Sequence, residues 1–270
     1  MAGLWLLLPA LLFMALAINL AWLFQRQAGN SGWIDVFWTF GTGIAGVGVA
    51  LWPLSGAPWP TERQLLVAIL VAAWSIRLGA YVAVRVAASS EDTRYVAFRK
   101  RWGPAYQWTL LRAVQPQALV SAILCLAILL AARRPEPGLG FQDLAGVIVL
   151  AVAILGEAIA DLQLARFKAV HTTPGAICER GLWAWSRHPN YFFEWLGWLA
   201  YPLIAIDPAR PLTLLSLGAP VVMFVVLRFV TGVPPLEKAM LASRGERFRA
   251  YQARTSVFFP LPPRRQGVPA

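Results

Sequence analysis

The sequence predicts an all-α fold, a polytopic membrane bundle of about seven transmembrane helices with its N-terminus outside and its C-terminus cytoplasmic. Three observations predict it. Of the 270 residues, 58% are hydrophobic and only 14% charged, which is too apolar for a soluble domain of this length. The apolar residues are gathered into stretches of roughly 17–25, enough for a helix to cross a hydrocarbon core of about 30 Å. The net charge of +11 is carried between these stretches rather than along one soluble face. That pattern suits anionic headgroups or a phosphate-bearing ligand and excludes nucleic acid as the partner.

The apolar stretches lie near 3–24, 33–52, 65–87, 115–132, 141–165, 190–206 and 208–230. No small-residue cleavage site with polar sequence follows the first, so it reads as a membrane helix and not as a signal peptide. The second contains Gly41-Thr42-Gly43-Ile44-Ala45-Gly46, a match to the dinucleotide fingerprint. That fingerprint works between a strand and a helix, and with no strand before it the glycines read as small residues for close helix packing. The fourth carries Cys125, at a different depth from Cys178 in a polar loop, so no disulfide is expected. Asp207-Pro208-Ala209-Arg210-Pro211 makes a tight turn between the last two stretches, where one proline ends a helix and the other starts one. Beyond the seventh, Glu237 heads a polar stretch in which Arg244, Arg247 and Tyr251 recur at helical spacing. From Pro260 the chain is too proline-rich for a helix and 261–270 is expected to fray. One domain over 1–270 is the economical reading.

Basic residues mark cytoplasmic loops. With seven spans, nineteen of the 24 lysines and arginines fall on one side, Arg63, Arg133, Arg134 and Arg210 on the other, and Arg77 inside the third span. An even number of spans destroys this separation.

Ionisable groups inside apolar spans are costly and usually face a cavity or a partner. Asp35, Arg77, Glu157, Asp161, Glu194 and Arg228 are in that position. Snorkelling to the headgroups is the plainer alternative for those near span ends. The densest signal runs from Gly181 to Glu194, where Arg187-His188-Pro189-Asn190-Tyr191 carries a basic loop into a span. Pro189 suits the first position of a helix, and the free N–H groups there favour a phosphate beside Arg187 and His188. Asn190 and Glu194, four apart, share a face that suits a ribose or an amide. The alternative is an interfacial anchor with Trp183 and Trp185 at the headgroups. Glu157 and Asp161 are likewise four apart, with Lys168 two turns beyond on nearly the same side. The loop from Glu91 through Arg94 to Arg101 mixes arginines with aromatics, as a lipid-surface segment does.

Gly181 to Glu194, together with Pro235-Leu236-Glu237 through Tyr251 and Thr255-Ser256-Val257-Phe258-Phe259-Pro260, resembles the bacterial DUF1295 proteins, which belong to the steroid 5α-reductase-like family. The resemblance extends to Ile34-Asp35-Val36-Phe37-Trp38, Arg77-Leu78-Gly79-Ala80-Tyr81 and Glu91-Asp92-Thr93-Arg94-Tyr95. It implies a seven-helix enzyme of the bacterial inner membrane that reduces an activated carbon–carbon double bond of a lipid or steroid-like molecule with NADPH. By the family's Asn-x-x-x-Glu motif, Asn190 and Glu194 hold the cofactor. Asp161 and Lys168 match fifth-helix positions, Arg228 an arginine closing the last span, and Tyr251 a tyrosine near the tail. His188, Tyr191 and Glu237 complete the cofactor set. Arg94, Arg187 and Arg247 are the candidates for the additional phosphate of NADPH. The Gln-Glu pair of the animal steroid reductases is absent, and Tyr81 or a protonated Asp35 takes the role of hydrogen-bond donor to the substrate. No metal and no obligate protein partner is expected; membrane lipids are the surroundings. Arg187-His188-Pro189-x-Tyr191 and the Glu237 to Tyr251 tail also resemble isoprenylcysteine and phospholipid methyltransferases. Those imply S-adenosylmethionine as the cofactor instead.

Overall fold

The computed structural model describes residues 3–264 apart from 55, 57, 89, 90, 92, 172 and 174, with the side chains of Thr93 and Arg94 also outside the description. The described residues are almost wholly helical. A 3₁₀ turn at Leu4–Leu6 leads into α1 (Leu7–Ala28), followed by α2 (Trp33–Leu51) and α3 (Glu62–Ala88). Then come α4 (Thr93–Trp102), α5 (Tyr106–Val114), α6 (Pro116–Ala132) and the 30-residue α7 (Phe141–Val170). Three short helices follow, α8 (Leu182–Trp185), α9 (Pro189–Gly197) and α10 (Ala200–Ala205). A 3₁₀ segment at Pro211–Leu217 opens into α11 (Gly218–Val225) and a π-helical turn at Val226–Val230. The last two are α12 (Val233–Arg244) and α13 (Glu246–Arg254).

Among the described residues, six helical runs are long and apolar enough to cross a membrane: Leu4–Ala28, Trp33–Leu51, Glu62–Ala88, Tyr95–Ala132, Phe141–Val170 and Pro211–Arg244. The multi-pass expectation is met, but the stretch 190–206, read above as a span, is divided between α9 and α10. At 1.5 Å per residue these helices are about 14 and 9 Å long, so neither alone crosses a core of about 30 Å, and a seventh crossing requires the two together. The break at Trp198–Leu199 has a local cause, since Pro202 has no N–H to give to the carbonyl of Trp198. The turn at 207–211 forms as read, with Asp207 Oδ1 accepting from the Ala209 amide at 2.9 Å.

The chain divides into two compact units, Met1–Val147 with Leu199–Val222, and Ile148–Trp198 with Met223–Ala270. In the first, α2 packs against α3, α1 and α6. The glycines of its fingerprint-like stretch make those contacts. A Cβ on Gly41 would stand 3.1 Å from Met14 of α1, one on Gly46 2.8 Å from Ile128 of α6, and one on Gly43 would overlap Ser75 of α3. They are packing glycines, and no strand precedes them. Leu8, Leu12, Leu16 and Leu20 form an exposed stripe along α1, a costly arrangement in water and the ordinary one in lipid.

Two polar clusters, the first of them buried, tie the ends of this unit. Asp143, 1% exposed, accepts from Arg63 Nε at 2.9 Å and from Arg134 Nη2 at 2.8 Å, while Arg63 Nη1 also reaches the Glu136 carbonyl and Arg134 Nη1 that of Ile204. Arg63 and Arg134, read from sequence as loop charges, are interior groups paired through Asp143. At the other end, Glu91 Oε1 accepts from Ser31 Oγ at 2.7 Å, and Ser31 Oγ also meets the Tyr106 hydroxyl at 2.8 Å. Arg99 Nη2 pairs with Glu91 at 3.0 Å, and its guanidinium lies 4.4 Å over the Tyr106 ring. Both bonds to Ser31 and the pairing with Arg99 hold the Glu91 carboxyl below its usual range, against the upward push of burial.

In the second unit, Phe192 and Trp195 of α9, Phe224 of α11 and Phe258 of the tail form one aromatic cluster, with neighbouring ring centroids 5.2 to 6.3 Å apart. The tail departs from the fraying expectation as far as it is described. It is non-helical, as its prolines dictate, yet the Leu261 amide donates to the Trp185 carbonyl at 3.0 Å and the Arg264 amide to that of Arg254 at 2.8 Å. Residues 265–270 lie outside the described residues.

Candidate functional site

Helix α9 begins at Pro189, as its sequence requires, with His188 at the cap position and no side chain bonding the first-turn amides. Before it the chain runs extended, and Ser186 forms an isolated parallel bridge with Ser256. The Arg187 amide donates to the Ser256 carbonyl at 2.8 Å and Ser186 Oγ to that of Phe258, also at 2.8 Å. The tail thus lies along the loop as a short two-stranded contact.

Helices α12 and α13 bring the rest. The helical spacing read across Glu237 to Tyr251 is interrupted at Gly245, whose φ of 53° belongs to the left-handed region that glycine enters most easily. Glu237 therefore stands on one helix and Tyr251 and Gln252 on the next, and all three converge on 183–188. Glu237 accepts from Arg187 Nε at 2.7 Å, from Gln252 Nε2 at 2.8 Å, and meets His188 Nε2 at 3.0 Å. Arg187 Nη1 donates to the carbonyls of Thr255 at 2.5 Å and Gln252 at 3.2 Å. The Tyr251 hydroxyl donates to the Trp183 carbonyl at 2.5 Å.

Electrostatics follow from this burial. His188 is 2% exposed, and burial pushes its imidazole below the usual value against the pull of Glu237, with Arg187 and Arg228 adding to the depression. A neutral ring facing a carboxylate must donate, so Nε2 carries the proton. Tyr191 stacks on this ring, centroids 5.5 Å apart and planes 9° from parallel. Burial also raises the Tyr251 phenol, which remains protonated.

The structure sorts the sequence candidates. Arg187, His188, Glu237 and Tyr251 come together, but their polar atoms face one another and the backbone. Asn190, half-buried in the first turn of α9, has no hydrogen-bond partner for its carboxamide among the described residues. Glu194, one turn on and 6% exposed, accepts from Trp198 Nε1 at 3.0 Å. Arg228 is half-buried, its guanidinium 4.9 Å over the Phe229 ring, with no carboxylate paired to it among the described residues. Arg247 is exposed in the first turn of α13. On α7, Asp161 is 4% exposed and Lys168, two turns on, is exposed. In the first unit, Asp35 occupies the first turn of α2 with the Tyr95 hydroxyl 3.4 Å from Oδ1, and the Tyr81 ring has Arg77 and Arg85 guanidiniums at 5.5 and 5.8 Å. The side chain of Arg94 lies outside the described residues.

Trp183 is not a headgroup anchor. It is buried, with Nε1 donating to the Ala160 carbonyl at 2.9 Å, whereas Trp185 is 46% exposed. Ser186, Gln252 and Gln163, which accepts from the Leu182 amide at 2.9 Å, were not legible as site-building residues, because their partners lie 15 to 72 residues away. No group of three or more His, Cys, Asp or Glu able to hold a metal occurs among the described residues.

The family whose model matches residues 21–255 is described as "Protein of unknown function (DUF1295)". No curated protein and no solved structure matches the chain.

Proposed function

The chain belongs to the DUF1295 family, and from the site itself we propose that it is a membrane oxidoreductase that uses NADPH to reduce an activated carbon–carbon double bond in a lipid or steroid-like molecule. The observation that carries this reading is the Asn190 carboxamide at the start of α9, without a hydrogen-bond partner among the described residues and one turn ahead of the buried Glu194. These are the two positions of the Asn-x-x-x-Glu motif through which the sequence resembles steroid 5α-reductase-like proteins.

NADPH supplies a hydride when bound; the chain binds, orients and delivers a proton. The first-turn amides of α9 suit a pyrophosphate, and Asn190 has both donors and an acceptor for a ribose or carboxamide. Arg228 and Arg247, neither paired with a carboxylate among the described residues, suit the additional phosphate. Arg187 is a positioning residue, since its donors face Glu237 and the tail. Tyr81 or Asp35 gives the hydrogen bond that polarises the substrate. The membrane is the inner membrane of a bacterium, with the basic loops and the C-terminal helices in the cytoplasm, where the cofactor is available.

S-adenosylmethionine-dependent methyl transfer is the second reading, favoured by the pairing of Arg187 and His188 with Glu237, in the segments that also resemble membrane methyltransferases. A comparison of thermal protection separates the two, because a ligand at a hundred times its dissociation constant stabilises the folded state by about 2.7 kcal/mol. Purified protein in detergent is expected to melt higher with NADPH than with NADH, and unchanged with S-adenosylmethionine. Protection by S-adenosylmethionine alone replaces the reductase with the methyltransferase.

A further inference from the structure

A groove of about 580 Å³ runs along the face of α7 in the second unit. Its floor is Val152, Leu155, Ile159 and Gln163, its walls come from α9 and the tail at Phe193 and Pro260, and Trp185 also lines it. Apart from Gln163 these groups are apolar, and Leu155 and Ile159 are 62% and 49% exposed in a helix long and apolar enough to span a bilayer.

The groove has a length and a direction. From Val152 to Gln163 is eleven helical rises, about 16 Å, which is half of a hydrocarbon core of about 30 Å. It is therefore as deep as one leaflet. The floor positions recur at spacings of three and four residues, and the same stripe next reaches Arg166, one turn past Gln163. Arg180 directly precedes Gly181, which also lines the groove at this end. Arg166 and Arg180 are both exposed, and neither is paired with a carboxylate among the described residues; the neighbouring Glu179 is held by Arg254.

We infer that this groove is the binding site of one anionic phospholipid of the leaflet beside the basic loops. One acyl chain lies along Val152 to Ile159, and the phosphate sits at Arg166 and Arg180. The chain is matched by groove length and apolar lining, the headgroup by two cations placed where the hydrocarbon ends. The site is separate from the proposed cofactor residues and holds whichever reaction the protein performs.

The test uses whole protein in phosphatidylcholine nanodiscs doped with either phosphatidylglycerol or phosphatidylcholine carrying bromine atoms in one acyl chain. Bromine quenches nearby indoles, and the difference between wild type and Trp185→Phe isolates the emission of Trp185. Brominated phosphatidylglycerol is expected to quench Trp185 at roughly tenfold lower mole fraction than brominated phosphatidylcholine, the combined effect of two arginines at an anionic headgroup. Replacing both Arg166 and Arg180 by alanine removes this preference and keeps the quenching by phosphatidylcholine, which reports an intact, inserted protein. Leu155→Phe with Ile159→Phe fills the groove, keeps both arginines, and lowers quenching by brominated phosphatidylglycerol at least fivefold. Equal quenching by the two lipids in wild type overturns the proposal, as does a preference that survives loss of both arginines or is indifferent to groove filling. Absence of quenching by either lipid also overturns it, since another occupant then covers the face.

Discussion

Arg187 has five N–H donors in a rigid fork, and they reach the Glu237 carboxylate and the carbonyls of Gln252 and Thr255. The pair is mostly buried, 11% and 14% exposed, so removing the arginine leaves a carboxylate and two carbonyls short of partners. Arg187→Ala is expected to destabilise the protein by about 3 kcal/mol, as for a buried pair broken on one side. Asn190→Ala removes a side chain with no hydrogen-bond partner among the described residues and should destabilise the protein by no more than a neutral surface change, about 0.5 kcal/mol. If Asn190 touches the cofactor, the same change weakens NADPH binding about ten- to hundredfold, the cost of one lost hydrogen bond of roughly 1.5–3 kcal/mol. Melting curves and titrations of both variants in detergent make the comparison. A wild-type melt for Arg187→Ala removes the clasp, and unchanged affinity in Asn190→Ala removes that residue from the site.

Among the elements, α2 is the one whose sequence has two readings, and packing decides between them. Its glycines at 41, 43 and 46 face α1, α3 and α6 in turn, and at Gly43 an added Cβ would overlap Ser75 outright. Gly43→Val is therefore expected to lower stability by about 1–3 kcal/mol, the usual range for overpacking, with nucleotide binding altered only as far as folding is. A variant that melts like wild type but fails to bind nucleotide would reinstate the fingerprint. The stretch 190–206 shows the opposite case. Its hydropathy is that of a span, but Pro202 divides it, and the short α9 that results is what gives Asn190 and Glu194 their place.

At the scale of the whole molecule, the basic residues impose a direction that hydropathy does not. The 85–112 segment and the residues after 230 hold most of the arginines, and both are expected on the cytoplasmic side. Cys125 and Cys178 are free and buried, so replacing them leaves a quiet background for single cysteines introduced in either segment. Such cysteines should react with membrane-impermeant maleimide in inverted vesicles and stay unlabelled in intact cells. Labelling of both from outside intact cells reverses the orientation and takes the site out of reach of cytosolic NADPH.

The sequence by itself determined that this is a helical multi-pass membrane protein of the DUF1295 family, because helix length and hydropathy are local properties that a bilayer reads directly. It determined equally that a helix starts at Pro189 and that the chain turns at 207–211, since proline acts through its own backbone and the next few residues. Tertiary structure alone decided which charges are available. Arg187 and Arg228 look alike in sequence, yet one is clasped by a carboxylate fifty residues away and the other meets none among the described residues. Arg63 and Arg134 read as loop cations until Asp143 places them in the interior. Whether a charge faces a ligand or another side chain depends on groups brought together across long stretches of chain, and no spacing rule within a single helix carries that information.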